Sequence, residues 1–287
     1  MSNTTKPVSL TIGSREFVWG ERTFLMGVIN VSPESFWNGR YGDEEAALQR
    51  GRKLVEEGAD ILDIGGQSTR PGFDEVPPQE EAERVAPIIE RLVSELDVPV
   101  SVDTYKASVA KAALDAGAHL LNDIWGFRPP SNSNAPEMAA LAVEYGVPVV
   151  IMHNQRDREF HDVIGDIRAG FEASVAIAQE AGLARERLII DPGFGFGWTP
   201  EQNIEMLRRL PELQALGLPM LIATSRKSTI GFVLDDAPPE ERLHGTSATM
   251  ALAIANGVDM IRVHDMAQMR DVARVADAVV RGWSRDP

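Results

Sequence analysis

The sequence predicts a (β/α)8 TIM barrel preceded by a short β-hairpin, and three observations point there. Downstream of Leu25 the chain repeats one unit: an amphipathic helix, a glycine-containing turn, then a short apolar run. Eight such units in about 250 residues match the size of a closed parallel barrel. The apolar runs are Leu, Ile, Val and Met without alternation, as in strands buried on both faces. The competing architecture, a doubly wound open sheet, usually has fewer strands and a glycine-rich phosphate loop after the first. Val28-Ile29-Asn30-Val31 is followed by no such loop.

Val8 to Thr23 alternates weakly around Gly13-Ser14 and reads as a hairpin, a lid over one end of the barrel. The eight strands are then expected over Leu25–Val31, Ile61–Gly65, Val98–Asp103, His119–Asp123, Val147–His153, Leu188–Asp191, Met220–Ser225 and Met260–His264. Helical periodicity places helices over Glu44–Glu57, Gln79–Leu96, Ser108–Ala116, Glu137–Tyr145, Ile167–Ala181, Pro200–Leu216, Glu240–Ala255 and Ala267–Arg281. Gly58, Gly117, Gly146, Gly217 and Gly257 stand where each preceding helix must stop. No linker or low-complexity tract interrupts the series. The expectation is one domain over 1–287, with the hairpin at about 8–23 and the barrel at about 24–282.

The net charge of −15 disfavours nucleic acid or an anionic membrane as a bulk partner. The absence of cysteine excludes a disulfide framework and thiolate chemistry. No apolar run reaches the length of a membrane span and the first twenty residues have no apolar signal core, so a cytoplasmic protein is expected.

In such barrels the carboxyl ends of the strands build the active site. Those ends carry Asn30, Asp63 with the loop Gly65 to Gly72, Asp103, Asn122-Asp123, Met152-His153, Asp191, Ser225-Arg226-Lys227-Ser228 and Arg262-Val263-His264. Asp103, Asn122 and Asp191 suit a heterocycle rich in N–H donors, and Lys227 can donate to its ring carbonyl or ring nitrogen. Arg70, Arg262 and His264 are the cations an anion needs on so acidic a chain. Asn30 offers an oxygen to Mg²⁺, which takes few protein ligands plus substrate phosphates. In Asp191-Pro-Gly-Phe-Gly-Phe-Gly197, three glycines let backbone and two rings approach a flat ligand. His153 is less persuasive, since it or Met152 can simply close the pocket wall, and His119, His161 and His244 lack metal-ligand spacing. No G-x-S-x-G, H-E-x-x-H or Walker loop is present, so the site reads as a clamp for a flat polar ring with an anionic tail.

V-I-N-V-S-P-E-S-F, D-I-G-G-Q-S-T-R-P-G, S-V-D-T, L-N-D-I, D-P-G-F-G-F-G, S-R-K-S and R-V-H follow one another in the order and spacing of dihydropteroate synthases, from about Phe24 to Val280. The resemblance implies a pterin-binding barrel of folate biosynthesis that joins 6-hydroxymethyl-7,8-dihydropterin diphosphate to p-aminobenzoate, with Mg²⁺, commonly as a homodimer. It implies that Asp103, Asn122, Met152, Asp191, Lys227 and Arg262 hold the pterin, with Asp103, Asp191, Lys227 and Arg262 closest to the chemistry. It assigns the diphosphate and its metal to Asn30, Thr69, Arg70, Arg262 and His264. It assigns p-aminobenzoate, and the sulfonamides that mimic it, to Phe36, Thr69, Arg70, Pro71, Phe196, Lys227 and Ser228.

The sequence departs from the family pattern at Trp37, Asn38 and Arg40 in the first loop, at Gln67 where Glu is common, at Trp198 where Lys is common, and at Asn154. Most of these are expected around the p-aminobenzoate side, which suggests altered sulfonamide affinity and, with it, antibiotic resistance. Two alternative functions share parts of the pattern. A methyltetrahydrofolate-dependent methyltransferase needs neither the S-R-K-S lysine nor R-V-H, and a non-catalytic pterin-binding paralogue finds support only in the first loop.

Overall fold

The computed structural model describes residues 6–31, 44–67, 75–129 and 135–284. Phe36, Trp37, Asn38, Arg40, Thr69, Arg70 and Pro71 lie outside the described residues. The chain opens with an antiparallel hairpin, β1 (Ser9–Ile12) and β2 (Arg15–Val18), paired from Ser9↔Val18 to Ile12↔Arg15. Eight parallel strands follow: β3 (Phe24–Asn30), β4 (Ile61–Gly65), β5 (Val100–Asp103), β6 (Leu120–Asp123), β7 (Val149–Met152), β8 (Leu188–Asp191), β9 (Leu221–Ile222) and β10 (Met260–Val263). They are hydrogen-bonded in the order β8-β7-β6-β5-β4-β3-β10-β9, and a single parallel bridge between Ile190 and Met220 joins the two ends. This is the expected (β/α)8 barrel.

The helices are α1 (Glu44–Glu56), α2 (Pro78–Glu95), α3 (Ala107–Asp115), α4 (Ala135–Glu144), α5 (Val163–Glu180), α6 (Pro200–Arg209), α7 (Ser228–Val233), α8 (Leu243–Ala255) and α9 (Met266–Arg281). All five joint glycines adopt positive φ. The differences from the sequence reading have local causes. β5 starts two residues late because Pro99 cannot donate to a ladder. α5 starts four residues early because the Asp162 carboxylate caps it, accepting from the Gly165 N–H at 2.7 Å. α6 ends at Arg209 because Pro211 cannot continue it, and Leu210–Leu216 tightens into a 3₁₀ turn. Pro239–Glu241 is likewise a 3₁₀ turn, so α8 begins at Leu243.

Apolar side chains divide by face. Ile64, Val102, Leu121, Ile151, Ile190 and Ile261 join the layer shared with the helices, against Leu54, Val85, Phe171 and Met269. Met26, Ile61, Leu120, Val150, Ile189, Leu221 and Met260 form a second cluster with Leu10, Ile12, Phe17 and Trp19 of the hairpin. Phe24, at the start of β3, lies 4.8 Å from Phe17 with the rings tilted by 59° and meets Trp19 edge-on at 5.5 Å. The hairpin therefore plugs the amino end of the barrel, as the lid expectation held. Each of these large side chains contributes about 1.5–3 kcal/mol by leaving water. With the barrel interior filled at that end, the interior groups Asp63, Asn122, Asp103 and Arg262 meet at the other.

Candidate active site at the carboxyl end of the barrel

Arg262, on β10, reaches across the barrel mouth and donates from Nε to Asp63 Oδ2 at 2.6 Å and from Nη2 to Asp103 Oδ2 at 2.8 Å. Asn122 on β6 donates from Nδ2 to the same Asp63 oxygen at 3.1 Å. Burial works against the Arg262 charge, but Asp63 and Asp103 outweigh it and the guanidinium is held above its ordinary pKa. Burial pushes the Asp103 carboxyl up to about 7, although Arg262 pulls the other way. The Asp191 carboxyl, ending β8, is also raised by burial, while Lys227 and the Gly193 N–H at 2.8 Å favour its charged form. Burial lowers the Lys227 ammonium to about 8, and Asp191 and Asp103 limit the fall. Asp63 Oδ1 and Asp103 Oδ1 are buried with no hydrogen-bond partner among the described residues. Such orphans are costly unless a ligand or water completes them.

The glycine-rich loop after β8 builds one wall. Gly193 has φ 77°, and a Cβ there would lie 1.8 Å from the His153 carbonyl oxygen, so no other residue fits. The turn presents the Phe194 carbonyl to the Lys227 ammonium, which donates to it. The same ammonium lies 4.5 Å from the Phe196 ring centroid, and the Arg156 guanidinium lies 4.9 Å from it. Ile124, Trp125 and Met152 form a buried cluster against which Tyr105 and Phe196 pack half-buried. This is the flat apolar wall a heterocycle and an arene require.

The structure thus brings together Asp103, Asn122, Met152, Asp191, Phe196, Lys227 and Arg262. Asn30 joins them from β3: a Cβ built on Gly65 would lie 3.3 Å from Asn30 Oδ1 and 3.9 Å from Asp103 Oδ2. His264 Nδ1 lies 3.0 Å from Ser225 Oγ, and Ser228 opens α7 on the exposed side. Sequence reasoning gave no role to Asp63, because a carboxylate inside I-L-D-I-G reads as one more strand residue and its partner lies 199 positions away. Ile124, Trp125 and Tyr105 were missed because none is a charge or an amide, the signal by which strand-end residues stand out.

Three of the family departures prove to be scaffold. Trp198 is buried, stacked on His153 with centroids 5.6 Å apart, and met edge-on by Phe160 at 6.3 Å. Gln67 Oε1 accepts from Lys106 Nζ at 2.6 Å and from the Val76 N–H at 3.0 Å, and Lys106 pairs with buried Glu81 at 2.8 Å. Asn154 is fully buried and bonds the Ile124 carbonyl and the Arg156 N–H. A wide cleft of about 930 Å³ lies elsewhere, at the amino end of the strands between Arg22, Asp60, Arg270 and Val279. Asp60 and Asp277 there are committed to Arg22 and to Thr23 and Arg281, and no side-chain amide lines the cleft. Among the described residues no helix is long and apolar enough to cross a membrane.

A family described as pterin binding enzymes matches residues 26–264. The dihydropteroate synthase of Clostridium beijerinckii is 44% identical over 274 residues, covering 95% of this chain and all of that one. A Clostridium difficile dihydropteroate synthase solved in the presence of pteroic acid superposes with TM-score 0.86 at 46% identity, covering 92% of this chain and 98% of that chain. The Xanthomonas albilineans enzyme with 4-aminobenzoic acid gives 0.86 at 41%, covering 95% and 98%. A matched family model, a matched length and a matched barrel agree: this chain belongs to the dihydropteroate synthases, transferases among the pterin-binding enzymes.

Proposed function

We propose that the chain condenses 6-hydroxymethyl-7,8-dihydropterin diphosphate with p-aminobenzoate, giving 7,8-dihydropteroate and diphosphate. The observation that carries this reading is the cluster of Asp103, Asn122, Asp191, Lys227 and Arg262 beside the Phe196 wall. Asp103, Asn122 and Asp191 accept from and donate to the pterin edge, Lys227 donates to its carbonyl or ring nitrogen, and Met152 packs on its face. Arg262 holds ring and diphosphate in one register, with His264, Thr69 and Arg70 on the anion. The bond from the pterin methylene to the diphosphate oxygen breaks, and its electron pair leaves with the diphosphate. Buried carboxylates beside the methylene favour the positive charge it develops. The arylamine nitrogen, held by Phe36, Thr69, Arg70, Pro71, Phe196, Lys227 and Ser228, forms the new C–N bond and then loses its proton.

Asn30 supplies one hard oxygen beside Asp103 at the expected diphosphate position. No group of three or more His, Cys, Asp or Glu able to hold a metal occurs among the described residues. That donor set fits Mg²⁺ arriving with the substrate's phosphates: Asn30 would hold it, and it would supply charge neutralisation at the leaving group. We further propose a cytoplasmic homodimer joined through the late helices, where Leu252, Val275 and Val279 are 60%, 67% and 81% exposed. Altered sulfonamide affinity, and with it a resistance role, rests on Trp37, Asn38 and Arg40, since the other departures pack in the scaffold.

The experiment is diphosphate release from the pterin diphosphate with Mg²⁺, with and without p-aminobenzoate and with a sulfonamide series. Release that requires p-aminobenzoate supports the reading, and its absence at saturating pterin refutes it. Family-typical sulfonamide inhibition would refute the altered affinity, and a monomer by light scattering would refute the dimer.

A further inference from the structure

His153 takes no part in the proposed chemistry, yet it is buried where the loops after β7 and β8 meet. Its main-chain N–H donates to the Asp191 carbonyl at 2.9 Å, and its own carbonyl fills the space that Gly193 leaves open. The ring is equally committed. Arg128 Nη2 faces Nδ1 at 3.4 Å, and a guanidinium can only donate, so Nδ1 is the accepting nitrogen. Nε2–H therefore donates to Gln155 Oε1 at 2.8 Å. That fixes the Gln155 amide, whose Nε2 donates to the Glu159 carbonyl at 2.9 Å. The main-chain N–H of Gln155 then donates to the Phe196 carbonyl at 3.0 Å.

Phe196 needs this support. It stands between Gly195 at φ 82° and Gly197 at φ 83°, where the backbone has its widest conformational choice. Its other main-chain bond, N–H to the Gly193 carbonyl at 3.0 Å, closes a turn within the same loop. Of these two main-chain bonds, only the one from Gln155 anchors the Phe196 backbone to a neighbouring strand's loop. Trp198, stacked on the imidazole, presses on the same junction from behind.

We propose that His153, acting through Gln155, is a positioning residue that holds the Phe196 ring against the Lys227 ammonium for binding of the arylamine. The inference deepens the proposed function and rests on it. A buried histidine that merely filled space would affect both substrates alike. A positioning residue acts on the arylamine side alone.

The test is steady-state kinetics of three variants. His153→Phe keeps a ring on Trp198 and removes the N–H, while His153→Gln can both accept from Arg128 and donate to Gln155. Gln155→Met breaks the same link with His153 left in place, and it decides the matter if His153→Phe does not fold. His153→Phe and Gln155→Met should each raise KM for p-aminobenzoate at least tenfold with KM for the pterin diphosphate within twofold, and His153→Gln should recover to within threefold of the parent. Equal losses for both substrates, an unchanged KM for p-aminobenzoate, or no recovery in His153→Gln would overturn the proposal. Amide exchange at Gln155, at least tenfold faster in His153→Phe, is read without turnover. If the parent protein releases no diphosphate, the proposed function fails. If the parent is active but the variants show no selective KM effect, only the present inference fails.

Discussion

Asp63 is the most informative single position. It is fully buried and holds both Arg262 Nε and Asn122 Nδ2. Asp63→Ala strips both donors of their acceptor while Asp103 still holds Arg262 Nη2. Breaking one partner out of a buried pair costs about 3–5 kcal/mol, and the surviving Asp103 bond puts this case near the lower end, about 3 kcal/mol. At roughly 2.1 cal/mol/K of unfolding entropy per residue, a chain this long changes by about 0.6 kcal/mol per degree, so Tm should fall by about 5 °C. Turnover should suffer more than stability. Arg262 loses one of its two fixed points, and a displacement near 1 Å costs about 10²-fold in kcat/KM. Asp63→Asn keeps an acceptor for Arg262 and should lose less on both counts. Calorimetry and diphosphate release are the assays, with the exposed Arg270–Asp271 pair as control, whose removal should cost under about 1 kcal/mol. An Asp63→Ala protein that melts within about 1 °C of the parent and turns over normally would refute the assignment of Asp63 as the anchor of Arg262.

Asp103 predicts a pH effect of definite sign. Its folded pKa, raised to about 7, makes the native state hold a proton that the unfolded chain releases near pH 4, so this group's stability contribution falls as pH rises between those values. Asp103→Asn should therefore stabilise the ligand-free protein at pH 8, with the difference vanishing near pH 4, while abolishing turnover. Pterin affinity by titration calorimetry should fall above the Lys227 pKa of about 8, and Lys227→Met should remove that pH dependence along with most of the affinity. Gly193→Ala combines a left-handed backbone, costing about 1–3 kcal/mol, with a clash against the His153 carbonyl, and should give a lower Tm or insoluble protein.

The barrel was legible because its punctuation is local. A helix-stopping glycine before each of five strands, and apolar runs ending in polar residues, need no knowledge of distant partners. Boundaries failed where a proline or a cap decided them, at Pro99, Asp162 and Pro211. α7 went unseen because six residues are too few to show a period. At the site, Asp103, Asn122, Asp191, Lys227 and Arg262 announced themselves as charges and amides at strand ends. The grip of Asp63 on Arg262, the Ile124–Trp125 wall and the burial of Trp198 depend on which strands become neighbours around a closed sheet. The sequence assigned Trp198 no place, because chain proximity to the glycine loop says nothing of which way an indole turns.

The barrel is a hoop with one thin joint. Every other pair of adjacent strands shares at least two register positions, whereas β8 and β9 meet at Ile190–Met220 alone. Asp191 stands on one side of that joint and Lys227 on the other, and the Lys227 contact with Phe194 is a fastener laid across it. A flat ligand gripped by both residues acts as a rivet through the two edges. The staves nearest that joint, β8 and β9, are then the ones whose amides gain most protection when the pterin binds, and β4, on the far side of the hoop, gains least.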